Sequence, residues 1–317
     1  MDEFEIIQRF FAGQADAPGI IVGIGDDGAV LAPADDRHLV TVVDTLVEGR
    51  HFPTGLSAGD IGWRAVAVNL SDIAAMGATP RWMTLALTLT TPDTHWLEGF
   101  ARGLFDAAGE AGVVLVGGDT TGGAQVVVTV QITGDIGADL ALRRSGARPG
   151  DAIFISGYPG DAAAGLAQLK ADLSAHGALV DRFRRPQPRS QLGRELAGLA
   201  TACIDVSDGL AGDLHKLLVA SGVGASVDLC AVPISPALAT FAQEDAMSFA
   251  LHGGDDYELC FSASAECIDT VLETAARCAT PVAHIGRVTA ARGLSFLRDG
   301  EPMAVDTTGY AHFGREA

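Results

Sequence analysis

Apolar residues recur along this chain with two different periods, and the switches between them mark out alternating short and long elements. The apolar run HLVTVVDT (38–45) reads as a buried strand, and RWMTLALTL (81–89), VVLVGG (113–118) and the long, largely apolar QVVVTVQITGDI (125–136) as further strands. Between these, 57–76 and 93–111 space their apolar residues as helices do. That order predicts an α/β (α+β) chain rather than a helical bundle. ALRRSGARPGDAIFISG breaks the pattern with Arg143, Arg144, Arg148, Pro149 and Gly150, so a domain boundary is expected near 140–150, dividing the chain into 1–145 and 146–317. The pattern then restarts with a strand at Ala152–Ser156, a glycine turn (YPGDAAAG) opening a helix, and a strand at Ala202–Asp205. A helix follows Ser207-Asp208-Gly209, and further strands are expected at Ala225–Leu229 and 257–263. DRFRRPQPRS (181–190), with two prolines and four arginines, reads as a solvated loop, although clustered arginines also suit phosphate.

Composition narrows the classes of function. With 317 residues, 48% of them hydrophobic, the chain can bury two cores. Its 21 Lys plus Arg against 40 Asp plus Glu give a net charge of −19, a field that repels nucleic acid and anionic membrane surfaces. Apolar runs such as Ala124–Ile132 fall short of the roughly 20 residues of a membrane span, and MDEFEIIQRF lacks a basic leader, so a cytoplasmic location is expected. The five cysteines form no CxxC pair and read as small buried hydrophobes. Lys170 and Lys216 are the only lysines, which removes the usual lysine-based phosphate sites.

Gly23 to Gly28 (GIGDDG) fits GxGxxG and follows a short apolar run, as in a dinucleotide fold. Pro33 follows too soon for the long helix that would hold a pyrophosphate, and Asp26 and Asp27 would stand inside the cradle. Two like charges about 4 Å apart repel by about 4 kcal/mol at an effective dielectric of about 20. Such a loop approaches phosphate only through a cation. GxxxxGK[ST], HExxH and GxSxG are absent.

Aspartates recur instead at strand ends or beside glycine: Asp27, Asp44 (VTVVDT), Asp119 (VGGDTT), Asp205 and Asp208 (IDVSDG) and Asp255 (HGGDD). Taken singly, each reads as a turn or cap, Asp208 before Gly209 as a helix N-cap. Asp72 lies in WRAVAVNLSDIAAMGA, where Val66, Leu70, Ile73 and Met76 form the apolar surface and Asn69 shares a face with Asp72. Converging carboxylates need protons or divalent cations to offset their repulsion. An all-oxygen donor set favours Mg²⁺, Mn²⁺ or Ca²⁺ over zinc, and Mg²⁺ bridges to phosphates.

GIGDDGAVL, DTLVEGRHF, AVNLSDIAAMGATP, VGGDTTGG, LRRSGARPGD, IDVSDGLAGDL and GGDDYELCF, in that order, resemble the thiamine-monophosphate kinase family. That family lies within the superfamily typified by aminoimidazole ribonucleotide synthetase. The resemblance runs from Phe4 to Phe313 and implies a two-domain fold of the aminoimidazole ribonucleotide synthetase type, dimeric through its N-terminal sheet. It also implies phosphorylation of thiamine monophosphate with ATP and several Mg²⁺. Carried over by motif, Asp27, Asp44, Asp72, Asp119, Asp205 and Asp208 are the implied metal ligands, with Asp44, Asp72 and Asp119 at the centre of catalysis. Gly118, Asp119, Arg144 and Ser207 would meet ATP, and His51, Asp255 and Tyr310 the thiamine phosphate. The chain departs from the family at Asp255, where glutamate is usual, at Val42 and Val43, which replace hydroxyl residues, at Gly122, which replaces arginine, and at the third glycine of GIGDDG. Selenophosphate synthetase, a rival in the superfamily, needs a reactive cysteine near the N-terminus, and no cysteine precedes Cys203. A scaffold that kept nucleotide binding and lost chemistry is the rival from another class.

Overall fold

The computed structural model describes residues 2–12, 18–24 and 28–307. Asp27 and Tyr310 therefore lie outside the described residues. The chain forms two compact units, Met1–Ile73 with Ala78–Leu140, and Ala74–Gly77 with Ala141–Ala317.

In the first unit a short helix α1 (Glu3–Ile6) runs into a π-helical turn at Ile7–Phe11. Strands β1 (Ile20–Val22) and β2 (Val30–Leu31) pair antiparallel. No helix separates them among the described residues, so the dinucleotide reading of GIGDDG is set aside. The main elements are β3 (Arg37–Val47), α2 (Ala58–Ala75), β4 (Thr79–Leu89), α3 (Thr94–Ala111), β5 (Val114–Gly122) and β6 (Val127–Gly137). They form a four-stranded sheet of order β3-β6-β4-β5, in which only β4 and β5 run parallel. Alternation sends Val40, Leu46, Val128, Val130, Ile132, Leu85 and Leu87 to a buried face. The other face carries Thr41, Thr45, Thr129 and Thr133, with Thr45 and Thr129 hydroxyls 2.8 Å apart. Asp93 caps α3 by accepting from the Trp96 amide at 2.7 Å, and Gly112 ends it in the left-handed region.

The second unit holds a seven-stranded sheet, β13-β12-β9-β11-β7-β10-β8, built from β7 (Ala152–Ser156), β8 (Ala200–Val206), β9 (Gly224–Asp228), β10 (Glu258–Ala263), β11 (Val282–Thr289), β12 (Gly293–Arg298) and β13 (Glu301–Met303). Strand β7 is buried at every residue, as its unbroken apolar run predicts. Helices α4 (Asp161–Ala171), α5 (Ala178–Arg184), α6 (Ser190–Leu196), α7 (Leu210–Ser221), α8 (Pro236–Ala242), α9 (Ala246–His252) and α10 (Ile268–Arg277) complete it. Three clusters of core residues lie here among the described residues, one around Ile155, Ile204, Leu214 and Val227, one around Phe154, Leu192, Leu259 and Phe261, and a smaller one around Ala164, Leu179 and Leu238.

Two expectations are corrected. The segment 181–190 is not a continuous solvated loop: α5 runs through Arg184 and α6 starts at Ser190, because Leu179, Val180, Phe183 and Leu192 are all buried. The cysteines are not uniformly buried. Cys203, Cys260 and Cys278 are, with burial pushing the Cys203 and Cys260 thiols well up, whereas Cys267 is half-buried and Cys230 exposed.

Candidate active site

The first unit presents its three acidic candidates from three elements. Asp44, half-buried, is on β3 and registers with Val130 of β6. Asp119, exposed, is on β5 and registers with Ala86 of β4. Because β3 and β5 are the two edges of the sheet, three strand spacings, or about 14 Å, separate them within one chain. Gly118 precedes Asp119, and a Cβ there would come within 1.9 Å of the Leu85 carbonyl oxygen, so only glycine lets β5 pass that close to β4.

Asp72 is half-buried on α2, whose Val66, Leu70 and Ile73 are buried as the helical spacing predicts. Asn69, one turn earlier, is fully buried. Its amide nitrogen donates to the Ala65 carbonyl at 3.0 Å, while its Oδ1 has no partner among the described residues. A buried amide oxygen lacking a donor beside a carboxylate suits a hard cation. His51 closes the turn after β3: its Nδ1 accepts from the Val47 amide at 3.0 Å, which leaves the proton of the neutral ring on Nε2.

In the second unit, Asp205 is buried near the end of β8, and Ser207 and Asp208 follow it into the turn before α7. Asp208 is not the N-cap of that helix. Gly209 occupies the cap position, and Asp213 organises the turn by accepting from the Ser207 and Asp208 amides, each at 2.9 Å. Lys216 reaches across, 2.6 Å from Asp208 and 2.8 Å from Asp213. Burial raises the Asp213 carboxyl against the pull of Lys216. Burial alone would lower the Lys216 ammonium, yet its bonds to Asp208 and Asp213 carry it above its ordinary value. One of the two lysines is thus committed to aspartates. Arg144 is exposed, its carbonyl accepting from the Ser221 hydroxyl at 2.9 Å.

Asp255 is half-buried in the turn between α9 and β10, its amide donating to the Ser207 carbonyl at 2.9 Å. Next to it lies a charged cluster that the sequence reading missed. Glu258 and Asp256 are fully buried, and Arg182 and Arg189 from the 181–190 segment both bond to Glu258. Burial would raise Glu258, but the two guanidiniums hold it below the usual carboxylate range. The signal was available: a glutamate at the head of an otherwise apolar strand (YELCFSA) requires a cationic partner.

Among the described residues no three acidic, histidine or cysteine side chains gather closely enough to hold a metal by themselves. Isolated carboxylates fit a Mg²⁺ that keeps waters and takes its remaining ligands from phosphate oxygens, and the donors are oxygens throughout. No helix of the described residues is long and apolar enough to cross a membrane.

Comparison with known proteins bears on this arrangement. Residues 25–136 match the family model for the N-terminal domain of AIR synthase related proteins, and 148–298 the model for the C-terminal domain. The chain is 44% identical over 322 aligned residues to the thiamine-monophosphate kinase of Escherichia coli K12, covering 98% of each. It is similar to the crystal structure of thiamine-monophosphate kinase from Stenotrophomonas maltophilia K279a, with a TM-score of 0.85, 43% identity, and 91% of this chain and 93% of that one covered. A structure described as AaThiL complexed with AMPPCP and TMP is also similar, with a TM-score of 0.79, 30% identity and 92% of each chain covered.

Proposed function

This chain belongs to the thiamine-monophosphate kinase family, and from that premise we propose that it transfers the γ-phosphoryl group of ATP in line to the phosphate of thiamine monophosphate. A phosphate oxygen of the acceptor bonds to the γ-phosphorus as the β–γ bridging bond breaks, giving thiamine diphosphate and ADP. The acceptor oxygen is already ionised, so no strong general base and no covalent enzyme intermediate are needed. The 44% identity over 98% of the chain carries the reading. Its two substrates are supported by the similar structure complexed with AMPPCP, an ATP analogue, and TMP.

Gly118, Asp119, Arg144 and Ser207 would contact ATP. His51, Asp255 and Tyr310 would line the thiamine phosphate site, where an aromatic ring suits a cationic thiazolium. Asp27, Asp44, Asp72, Asp119, Asp205 and Asp208 would hold magnesium, and the unpartnered oxygen of Asn69 adds to the case for a cation beside Asp72. Bound Mg²⁺ would supply neutralisation of the polyphosphate charge. The protein's own share is positioning: carboxylates fixed on strands and a helix, and a Ser207-Asp208 turn whose shape is fixed by its amides donating to Asp213. Leu39 and Val43 on edge strand β3 are 52% and 61% exposed, which supports a homodimer through the first unit's sheet.

Incubation with ATP, Mg²⁺ and thiamine monophosphate should yield thiamine diphosphate. Asp44→Asn and Asp72→Asn should keep the wild-type circular dichroism spectrum yet lose about 100-fold or more in turnover. ADP formed only with some other acceptor, or unchanged turnover in both variants, would refute the proposal.

A further inference from the structure

The buried charges around Glu258 have no role in the reaction as described, and their contacts lead to one short turn. Between α9 and β10 the backbone passes through Asp255 at φ 69° and Tyr257 at φ 53°, two non-glycine residues in the left-handed region flanking Asp256. L-residues enter that region at a cost and stay there only where their surroundings dictate it. Here the surroundings are specific. The amides of Asp255 and Tyr257 donate to the carbonyls of Ser207 and Val206 at 2.9 and 2.8 Å. The Asp256 carboxylate accepts from the Gly160 amide at 2.7 Å and the Ala162 amide at 3.3 Å, at the start of α4. Its main-chain carbonyl accepts from Arg182 at 2.9 Å.

Arg182 is the link to the cluster, because the same guanidinium nitrogen also bonds to Glu258. Glu258 is in turn gripped by Arg189 in a two-pronged arrangement, with Nε 2.7 Å from one carboxylate oxygen and Nη2 2.6 Å from the other. The side chains of Arg182 and Arg189 are only 14% and 16% exposed. A buried ion pair is weak support for stability, since desolvation offsets its attraction, so its retention asks for a reason of position. On the other side of the turn, the Tyr257 hydroxyl lies 3.1 Å from a carboxylate oxygen of Asp255.

We propose that Arg182, Glu258 and Arg189 act as a clamp that holds the Asp255–Tyr257 turn in its left-handed form, so that Asp255, aimed by the Tyr257 hydroxyl, sets affinity for thiamine monophosphate rather than for ATP. The proposal rests on the substrate role assigned to Asp255 above. Arg182, Arg189, Glu258 and Tyr257 are positioning residues. They act through Asp255, and loosening any of them is equivalent to mis-aiming its carboxylate. One Arg182 nitrogen, Nη2, serves the carbonyl of Asp256 and the carboxylate of Glu258 together, its two hydrogens fixed in direction by the rigid guanidinium plane, which a freely rotating ammonium on a flexible stem does not reproduce.

Arg182→Lys keeps the charge and removes the rigid guanidinium plane that aims both bonds. Tyr257→Phe removes one oxygen and leaves the buried cluster intact, so it remains informative should the first variant fail to fold. Expected is a rise in KM for thiamine monophosphate of about 10-fold for Arg182→Lys and about 3-fold for Tyr257→Phe, with a smaller rise in KM for ATP, whose contact Ser207 shares a backbone hydrogen bond with the turn. Combining either substitution with Asp255→Asn should add nothing beyond Asp255→Asn alone. Calorimetric binding of thiamine monophosphate without ATP should show the same order. Equal rises in both KM values, or full additivity with Asp255→Asn, would overturn the clamp and leave a merely structural cluster. Wild-type protein that binds thiamine monophosphate without phosphorylating it would overturn the proposed reaction while the binding series still decides the clamp. Protein that neither binds nor phosphorylates it would overturn both.

Discussion

Asp135, in the first unit's sheet, is 3% exposed and lies between two arginines, with Arg37 Nε and Arg81 Nε each 2.8 Å from its carboxylate. Burial alone would raise its pKa, but the hydrogen bonds and charges of Arg81 and Arg37 hold it below its ordinary value of 3.8. A carboxyl whose folded pKa is depressed stabilises the protein above its unfolded value and surrenders that stability as pH falls through the folded one. Wild-type urea midpoints should therefore drop below about pH 4, and part of that drop should vanish in Asp135→Asn, which costs about 1–2 kcal/mol at neutral pH with half-exposed arginines screening the rest. Parallel pH profiles for the two proteins would show the pairing to be inert. Residues with local signals were the legible ones: Asn69 and Asp72 share a helical face three positions apart. The partners of Glu258 were illegible because Arg182 and Arg189 lie 76 and 69 residues away in sequence.

At the scale of elements, strands β3, β4 and β6 were readable as apolar runs, but β3, whose run reads as a buried strand, is an edge of the sheet and leaves Leu39 and Val43 exposed. The helices α5 and α6 were hidden by the arginines and prolines of 181–190, whose composition suggested solvent while burial of Phe183 and Leu192 by the second unit's core decided the outcome. Tertiary packing also explains how closely α2 and α3 approach. A Cβ at Gly103 of α3 would lie 1.8 Å from the Gly59 carbonyl oxygen on α2, in contact with main chain that cannot yield. Gly103→Ala should force the two helices apart and cost about 1–3 kcal/mol, read as a lowered thermal midpoint. An unchanged midpoint would mean that the helices slide without loss.

For the molecule as a whole, the net charge of −19 opposes approach of copies at long range, so self-association depends on short-range contacts. Val43 on the edge strand is the test position: Val43→Asp should convert the proposed dimer into a monomer by light scattering, and an unaltered mass would overturn that contact. The distance of about 14 Å between the strands bearing Asp44 and Asp119 then acquires a meaning. In the proposed homodimer, side chains anchored on opposite borders of one sheet would be brought together where the border of one copy joins that of another, and each reaction centre would then be a shared possession. Subunits carrying Asp44→Asn and subunits carrying Asp119→Asn, each inert when pure, should then regain up to about a quarter of normal turnover when unfolded together and refolded as a mixture. Persistent inactivity of the mixed species would mean that every centre draws on a single polypeptide.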